Sequence, residues 1–322
     1  MADRLGLRPT KRLGQNFVHD ANTVRRIARL AELDPDDVVL EIGPGLGSLT
    51  LALLPSAASV LAVEIDPVLA EALPGTVAER APALAARLTV LTTDALRLTA
   101  EQLPRPPTAV VANLPYNVGV PVLLHVLESL PSVRHGLVMI QSEVVDRLAA
   151  PPGGREYGAP SAKLAWFASA RRVGPVPRAV FWPVPGVDSA LLAVRRRPAP
   201  EISRGIRVAS AAEGEPAGAE VTGGAATEVT GAVAAEVTGG VAAEPAGGAA
   251  TEVTRAEVFA VVDAAFAQRR KSLRGALAGW AGSPAAAEQV LRAAGVDPAT
   301  RAERLAIADF ARIAAASPRR PS

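Results

Sequence analysis

Val38-Val39-Leu40-Glu41-Ile42-Gly43-Pro44-Gly45-Leu46-Gly47 is the stretch from which the fold of this chain can be read. Five mostly apolar residues predict a buried strand, after which the chain breaks into glycines at alternate positions. Gly43, Gly45 and Gly47 let the backbone approach a ligand where a Cβ would collide, and a helix is predicted from Leu46 to about Leu54. This is the geometry of a nucleotide-binding turn, although strand-to-helix turns of the same kind also serve α/β domains as purely structural devices.

Working outward, Ser59 to Ile65 reads as a second strand ending in Val63-Glu64-Ile65-Asp66-Pro67, with a helix leaving from Pro67. Glu64 lies 21 residues after Gly43, the spacing at which an acidic side chain on the second strand of a βαβ unit accepts both ribose hydroxyls of a nucleotide. A third strand, Leu88 to Thr93, ends at Asp94, which either accepts from an exocyclic amine or caps a turn. Ser48 occupies the place where a dinucleotide fingerprint carries its third glycine. The set therefore fits S-adenosylmethionine, which has no pyrophosphate to cradle, better than NAD.

A fourth strand, Ala109 to Ala112, runs into Asn113-Leu114-Pro115-Tyr116-Asn117. Methylating an exocyclic adenine amine is difficult because the nitrogen lone pair is delocalised into the ring. A site for it needs acceptors on the amine hydrogens, so that nitrogen moves towards tetrahedral geometry, and an aromatic face for the base. An Asn oxygen, a carbonyl held before a proline and a Tyr ring supply these within four residues; taken alone, the same residues also make an ordinary turn.

Lys11 to Phe17 (KRLGQNF), Glu41 to Gly47 (EIGPGLG), Val63 to Asp66 (VEID), Asp94-Ala95 and Asn113 to Asn117 (NLPYN) together resemble the ribosomal RNA adenine N6,N6-dimethyltransferase family. Phe181 to Ala190 (FWPVPGVDSA) is similar to its F-x-P-x-P-x-V-x-S-A segment, and Phe266 to Arg274 (FAQRRKSLR) to a helix of its small-subunit branch. The resemblance implies an α/β, Rossmann-like S-adenosylmethionine-dependent methyltransferase domain with a small C-terminal helical domain. It implies dimethylation of two adjacent adenines in the 3′-terminal hairpin of small-subunit (16S) rRNA, with a role in small-subunit biogenesis. By motif position Asn16, Val18, Gly43, Gly45, Glu64, Asp94 and Asn113 would contact the donor. Asn113, Leu114 through its carbonyl, and Tyr116 would hold the target adenine, with Phe181 either a second stacking face or a core aromatic. Two other readings stand beside this one: a large-subunit rRNA adenine methyltransferase of the macrolide-resistance type, against which the Gln268-Arg269-Arg270-Lys271 run argues, and a ribosome-assembly RNA-binding protein without catalysis.

Composition narrows the class. The chain has no cysteine and three histidines, which excludes disulfides, thiolate zinc and a Cys nucleophile, and no metal is expected. No run reaches the ~20 apolar residues that span a bilayer, and the basic lead-in has no apolar run after it, so no membrane partner and a cytoplasmic location are expected. Net charge is only +2, but Val208 to Thr254 holds seven acidic and no basic residues, which leaves an excess of nine positive charges on the rest. Those arginines cluster before the first strand, from Arg171 to Arg197 and after Arg255, as suits a polyanion partner or else a solvated face. Lys11, Arg12, Arg269, Arg270 and Lys271 are the candidate RNA contacts, the partner expected is the rRNA of an assembling small subunit, and the protein is expected to be a monomer.

Three parts are predicted: residues 1–197 as N-terminal arm and methyltransferase domain, 198–254 as a low-complexity acidic insertion expected to be disordered, and 255–322 as an RNA-docking helical domain. Asp20 is expected to cap a helix to about Leu33. Val120, Leu123, Leu124 and Leu127 are expected to face inward on a helix over Gly119 to Leu130, and capping boxes are read at Thr254–Glu257 and Thr300–Glu303. Pro151 to Gly154, beside Arg155 and Tyr157, reads as a plain surface loop or else as one that meets RNA.

Overall fold

The computed structural model describes residues 15–197 and 253–318. Lys11, Arg12 and the insertion expected at 198–254, except Val253 and Thr254, lie outside the described residues.

The strand that carries the glycine turn, β2 (Val38–Ile42), lies third in a seven-stranded sheet. Its parallel neighbours are β3 (Ser59–Glu64), then β4 (Leu88–Thr92) on one side, and β5 (Ala109–Asn113), then β6 (His135–Gln141) on the other. β9 (Ser189–Arg196) runs antiparallel between β6 and the edge strand β7 (Ala168–Val176), giving the order β4-β3-β2-β5-β6-β9-β7. A separate two-stranded pairing joins β1 (Phe17–Val18) to β8 (Phe181–Trp182).

Strand alternation explains why the central strands are apolar throughout. Leu40, Ile42, Leu61, Val63, Val110 and Ala112 enter one buried cluster, whereas Val39, Val60, Ala62, Ala109 and Val111 enter the other, so both faces need covering. Helices α1 (Ala21–Leu30), α2 (Ser48–Leu53) and α3 (Pro67–Arg80) contribute to the second cluster. The first takes α4 (Gly119–Ser129), α5 (Ser142–Ala149) and α6 (Ala159–Phe167). Asp20 caps α1 as expected, accepting from Thr23 N–H at 2.6 Å, but the helix stops at Leu30, before the expected Leu33. On α4 the buried stripe is Val122, Leu123, Val126 and Leu127; Val120 and Leu124 are only half-buried, because the helix meets the sheet one position round from the predicted face.

Successive strands leave β2 in opposite directions, β3 and β4 one way, β5 and β6 the other. The crevice at the C-terminal ends of β2 and β5 is therefore where a doubly wound sheet leaves room for a ligand. Asp37 ties the opposite ends together. It is fully buried and accepts from Thr108 Oγ1 at 2.6 Å, from the Asp34 N–H at 2.8 Å and from Arg134 at 3.1 Å, with His135 Nε2 also at 3.1 Å. Burial would raise its pKa, but the bonds from Thr108 and Asp34 and the nearby His135 outweigh that and hold it below the ordinary carboxylate value.

After the insertion come α7 (Arg255–Ala267), α8 (Leu273–Ala276), α9 (Ala278–Ala281), α10 (Pro284–Ala293) and α11 (Ile307–Ala315). Thr254 and Glu257 form the expected capping box. Thr300 does not: its carbonyl accepts from Leu273 N–H, a short 3₁₀ turn covers Ala302–Arg304, and the last helix starts at Ile307, with Asp309 accepting from Ala306 N–H at 2.8 Å. Gln268-Arg269-Arg270-Lys271 lies in the turn after α7, outside any helix. These helices share the first buried cluster with the sheet: Phe259 packs edge-on against Trp166 and Phe167, and Phe266 makes tilted ring contacts with Tyr157 and Phe310. Tyr157, expected beside an exposed loop, is 2% exposed, and its hydroxyl donates to the Leu305 carbonyl at 2.8 Å. Tyr157→Phe strands that buried carbonyl, so it should lower stability by about 1–2 kcal/mol in denaturant unfolding; an unchanged midpoint would mean water already serves the carbonyl.

Candidate active site

At the C-terminal ends of β2 to β5 lies an open cleft with a cavity volume of about 230 Å³. Its floor is the glycine turn. Gly43, Gly45 and Gly47 have φ of +66°, +55° and +82°, left-handed values that side chains other than glycine rarely adopt. A Cβ on Gly45 would stand 2.7 Å from the Phe17 ring, and one on Gly47 would stand 2.6 Å from Leu73, so the arm and α3 both press on the turn.

Glu64 ends β3 and is 5% exposed. Its Oε2 accepts from Gly45 N–H at 3.1 Å and its Oε1 from Asp66 N–H at 3.0 Å. Each carboxylate oxygen has a second lone pair, so the side chain is fixed and can still accept from a ligand. Burial raises its pKa, although the backbone donors work against this. Asp94 caps a 3₁₀ turn, accepting from Leu96 N–H at 2.9 Å, and also lines the cleft.

Asn113 ends β5, and its Nδ2 donates to the Asn16 carbonyl at 2.9 Å. That bond ties the arm across the cleft and fixes the amide's orientation, leaving Oδ1 as its acceptor. Leu114 N–H donates to the Met139 carbonyl at 3.0 Å, which seats the Asn113–Tyr116 segment on β6. Tyr116 lies on the wall of the cleft, its hydroxyl 2.5 Å from the Oγ of the fully buried Ser189. Burial pushes the phenol's pKa up, so Tyr116 is neutral and offers its ring.

The cleft thus collects Asn16, Val18, Gly43, Gly45, Glu64, Asp94, Asn113, Leu114 and Tyr116 from the predicted set. Phe181 is not among them. It is 1% exposed and packs in a core cluster with Val18, Val24 and Ile27, because alternation along β8 turns Phe181 inward and Trp182 outward. Arg269, Arg270 and Lys271 are exposed in the turn between α7 and α8, outside the cleft, with Arg269 paired with Glu303 at 3.5 Å.

Sequence reasoning missed two residues here. Glu41 is 1% exposed on the cleft wall, and its Oε2 has no hydrogen-bond partner among the described residues. Burial, reinforced by the Glu64 charge, pushes its pKa up to about 8. A charged residue inside an apolar strand was the available signal. Ser189 falls on the serine of the F-x-P-x-P-x-V-x-S-A segment, but its pairing with Tyr116, 73 residues away, has no signal in the chain. Among the described residues, no group of three or more His, Asp or Glu could hold a metal ion, and no helix is long and apolar enough to cross a membrane.

A glycine turn under a buried, doubly anchored acid, a second buried carboxyl with one oxygen unpartnered, and an Asn-Leu-Pro-Tyr wall define an S-adenosylmethionine-dependent methyltransferase of Rossmann-like fold. The sequence model of the family "Ribosomal RNA adenine dimethylase" matches residues 6–204. A relative from Thermobifida fusca (strain YX), named "Ribosomal RNA small subunit methyltransferase A", is 58% identical over 315 residues, covering 98% of this chain and 92% of its own. The chain belongs to the ribosomal RNA adenine dimethylase family, and its substrate is ribosomal RNA. Two solved structures share the fold. A dimethyladenosine transferase from Plasmodium falciparum has a TM-score of 0.66 at 18% identity, over 92% of this chain and 95% of that one. The 23S rRNA methyltransferase ErmE has a TM-score of 0.55 at 23% identity, over 94% and 100%.

Proposed function

We propose that this protein dimethylates N6 of two adjacent adenines in the 3′-terminal hairpin of small-subunit rRNA while the subunit is assembling, acting as a cytoplasmic monomer. The observation that carries the reading is the placement of Asn113, Leu114 and Tyr116 at the end of β5, beside the glycine turn and Glu64, with Asn113 locked to Asn16. The small-subunit name of the relative supports the choice of RNA.

When bound, S-adenosylmethionine supplies an electrophilic methyl on a sulfonium. Gly43 and Gly45 give it close backbone approach; Asn16, Val18, Glu64, Asp94 and Asn113 hold it, Glu64 through the ribose and Asp94 through the adenine amine. On the acceptor side, Asn113 Oδ1 and the Leu114 carbonyl accept from the target amine and free its lone pair, while Tyr116 stacks on the base. The neutral phenol fits a ring that orients the base and takes no proton; the amine proton leaves to water afterwards. Phe181 supports this wall from behind by holding β8 to the arm. The helices over 255–318 form the docking unit, with Arg269, Arg270 and Lys271 meeting phosphate, so binding weakens steeply with salt.

Purified protein, labelled S-adenosylmethionine and undermethylated small subunits, with large subunits in parallel, test this directly. Dimethyladenosine in small-subunit RNA alone is expected. Label in large-subunit RNA would place the chain with macrolide-resistance enzymes, and no label despite donor binding would favour a non-catalytic assembly role.

A further inference from the structure

The ring that β8 turns outward does not line the cleft. Trp182 is 42% exposed and stacks on Phe17 with centroids 6.1 Å apart and planes 25° from parallel. Phe17 in turn lies against Gly45 of the glycine turn and lines the cleft. Two parallel rings thus step from the donor floor to solvent. The loop after Trp182 exposes Val184 (64%) and Val187 (41%) and ends at Ser189, which holds Tyr116. Arg178 fixes that loop from one side, donating to the Gly186 carbonyl at 3.3 Å with Asp188 at 3.8 Å. An exposed apolar patch anchored at one end to Phe17 and at the other to the base-holding tyrosine is continuous with the substrate cleft. Water is a poor cover for such a patch.

We propose that Trp182 is an RNA-binding residue, a stacking platform for the nucleobase next to the adenine held on Tyr116. The proposal rests on the adenine-methylation reading. Taking one base out of a strand breaks its stacking on both neighbours, and a reaction on two adjacent adenines leaves the second unstacked at the mouth while the first is inside. An indole face restores that contact without reading sequence. Val184 and Val187 extend the apolar surface beneath the same base. Trp182 does not itself line the cleft, and Phe17 stands between it and the donor floor, so it acts on RNA affinity and leaves the donor alone.

Base–aromatic stacking is worth roughly 1–3 kcal/mol per base, or about 5- to 150-fold in affinity. Trp182→Ala should therefore raise the KM for undermethylated small subunits by about that factor, with S-adenosylmethionine affinity unchanged and kcat changed much less. Trp182→Phe keeps an aromatic face and should recover most of the loss. The second readout needs no methyl transfer. Adding a short oligoadenylate to wild-type protein should quench tryptophan fluorescence, and the quench should be missing from Trp182→Phe, whose remaining tryptophans are Trp166, 7% exposed, and Trp280. An unchanged KM in Trp182→Ala, or an equal quench in Trp182→Phe, would overturn the proposal. So would loss of donor affinity in both variants, which would make the ring a cover for Phe17. If the wild type labels no RNA the methylation reading fails, and the quench still decides whether the ring meets a base.

Discussion

Asn113→Ala is expected to reduce methyl transfer to rRNA by about 10²–10³-fold in kcat, the size of effect seen when one preorganised polar contact to a reacting group is removed. Two bonds disappear together. The Oδ1 acceptor on the target amine is lost, so the nitrogen lone pair stays in the ring, and the Nδ2 bond to the Asn16 carbonyl at 2.9 Å is lost, so the arm is less firmly held. The second loss touches the donor side, where Glu64 and the glycine turn remain, and donor affinity should fall by less than about tenfold, the equivalent of one ordinary hydrogen bond. Asn113→Asp separates the two contributions: it keeps an acceptor oxygen and abolishes the donor to Asn16. Single-turnover transfer to small subunits and calorimetric titration of S-adenosylmethionine read the two sides. Near-normal turnover in Asn113→Ala would remove this residue from the reaction.

Glu41→Gln should change the pH dependence of stability more than any surface substitution. The Glu41 carboxyl is raised to about 8 by burial. A carboxyl whose folded pKa is raised favours the folded state while protonated; its contribution is complete below the unfolded pKa near 4.5 and is lost as pH climbs towards 8. Asp37 runs in the opposite sense: held below its ordinary value, it stabilises above the unfolded pKa and loses that contribution as pH falls. Asp37 is common to both proteins and cancels in the comparison. Between pH 5 and pH 8, in the absence of donor, wild type should lose up to about 4 kcal/mol of unfolding free energy that Glu41→Gln keeps. The donor should reverse the ranking. A cationic ligand beside an ionised Glu41 recovers the burial penalty, so wild-type donor affinity should rise with pH over the same window and that of Glu41→Gln should stay flat. Parallel stability curves for the two proteins from pH 5 to pH 8 would show that Glu41 does not carry the raised pKa.

Val38 to Gly47 was enough to define the strand and the glycine turn, because each depends on neighbours in the chain: apolar continuity for a strand buried on both faces, and φ values that only glycine takes readily; the ligand class needed Ser48, Glu64 and Asp94 as well. Glu64, Asp94 and Asn113 were legible for a related reason. Parallel strands of a doubly wound sheet end at one edge, so the residue at or just past the end of each strand can be counted off without knowing the fold in detail. Helix boundaries were less secure where caps alone decided them. Thr254 and Glu257 cap α7, whereas Thr300 spends its carbonyl on Leu273, a partner the sequence around it does not reveal.

Tertiary structure alone decided what depends on distant pairs. Phe181 reads as a stacking face by motif, yet pairing of β8 with the arm sends it into the core and brings Trp182 out. Ser189 acquires a role only because β9 returns beside β6 and carries its hydroxyl to Tyr116. Tyr157, beside a run of Pro and Gly, looked exposed until Leu305, just before the last helix, came down on it. The sequence by itself determined the class of sheet, the donor and the reacting edge, since these follow from local backbone preference and the period of the strands. Which aromatic faces the cleft, which hydroxyl steadies the tyrosine and how the last helices share the core were settled by packing between segments that local rules leave independent.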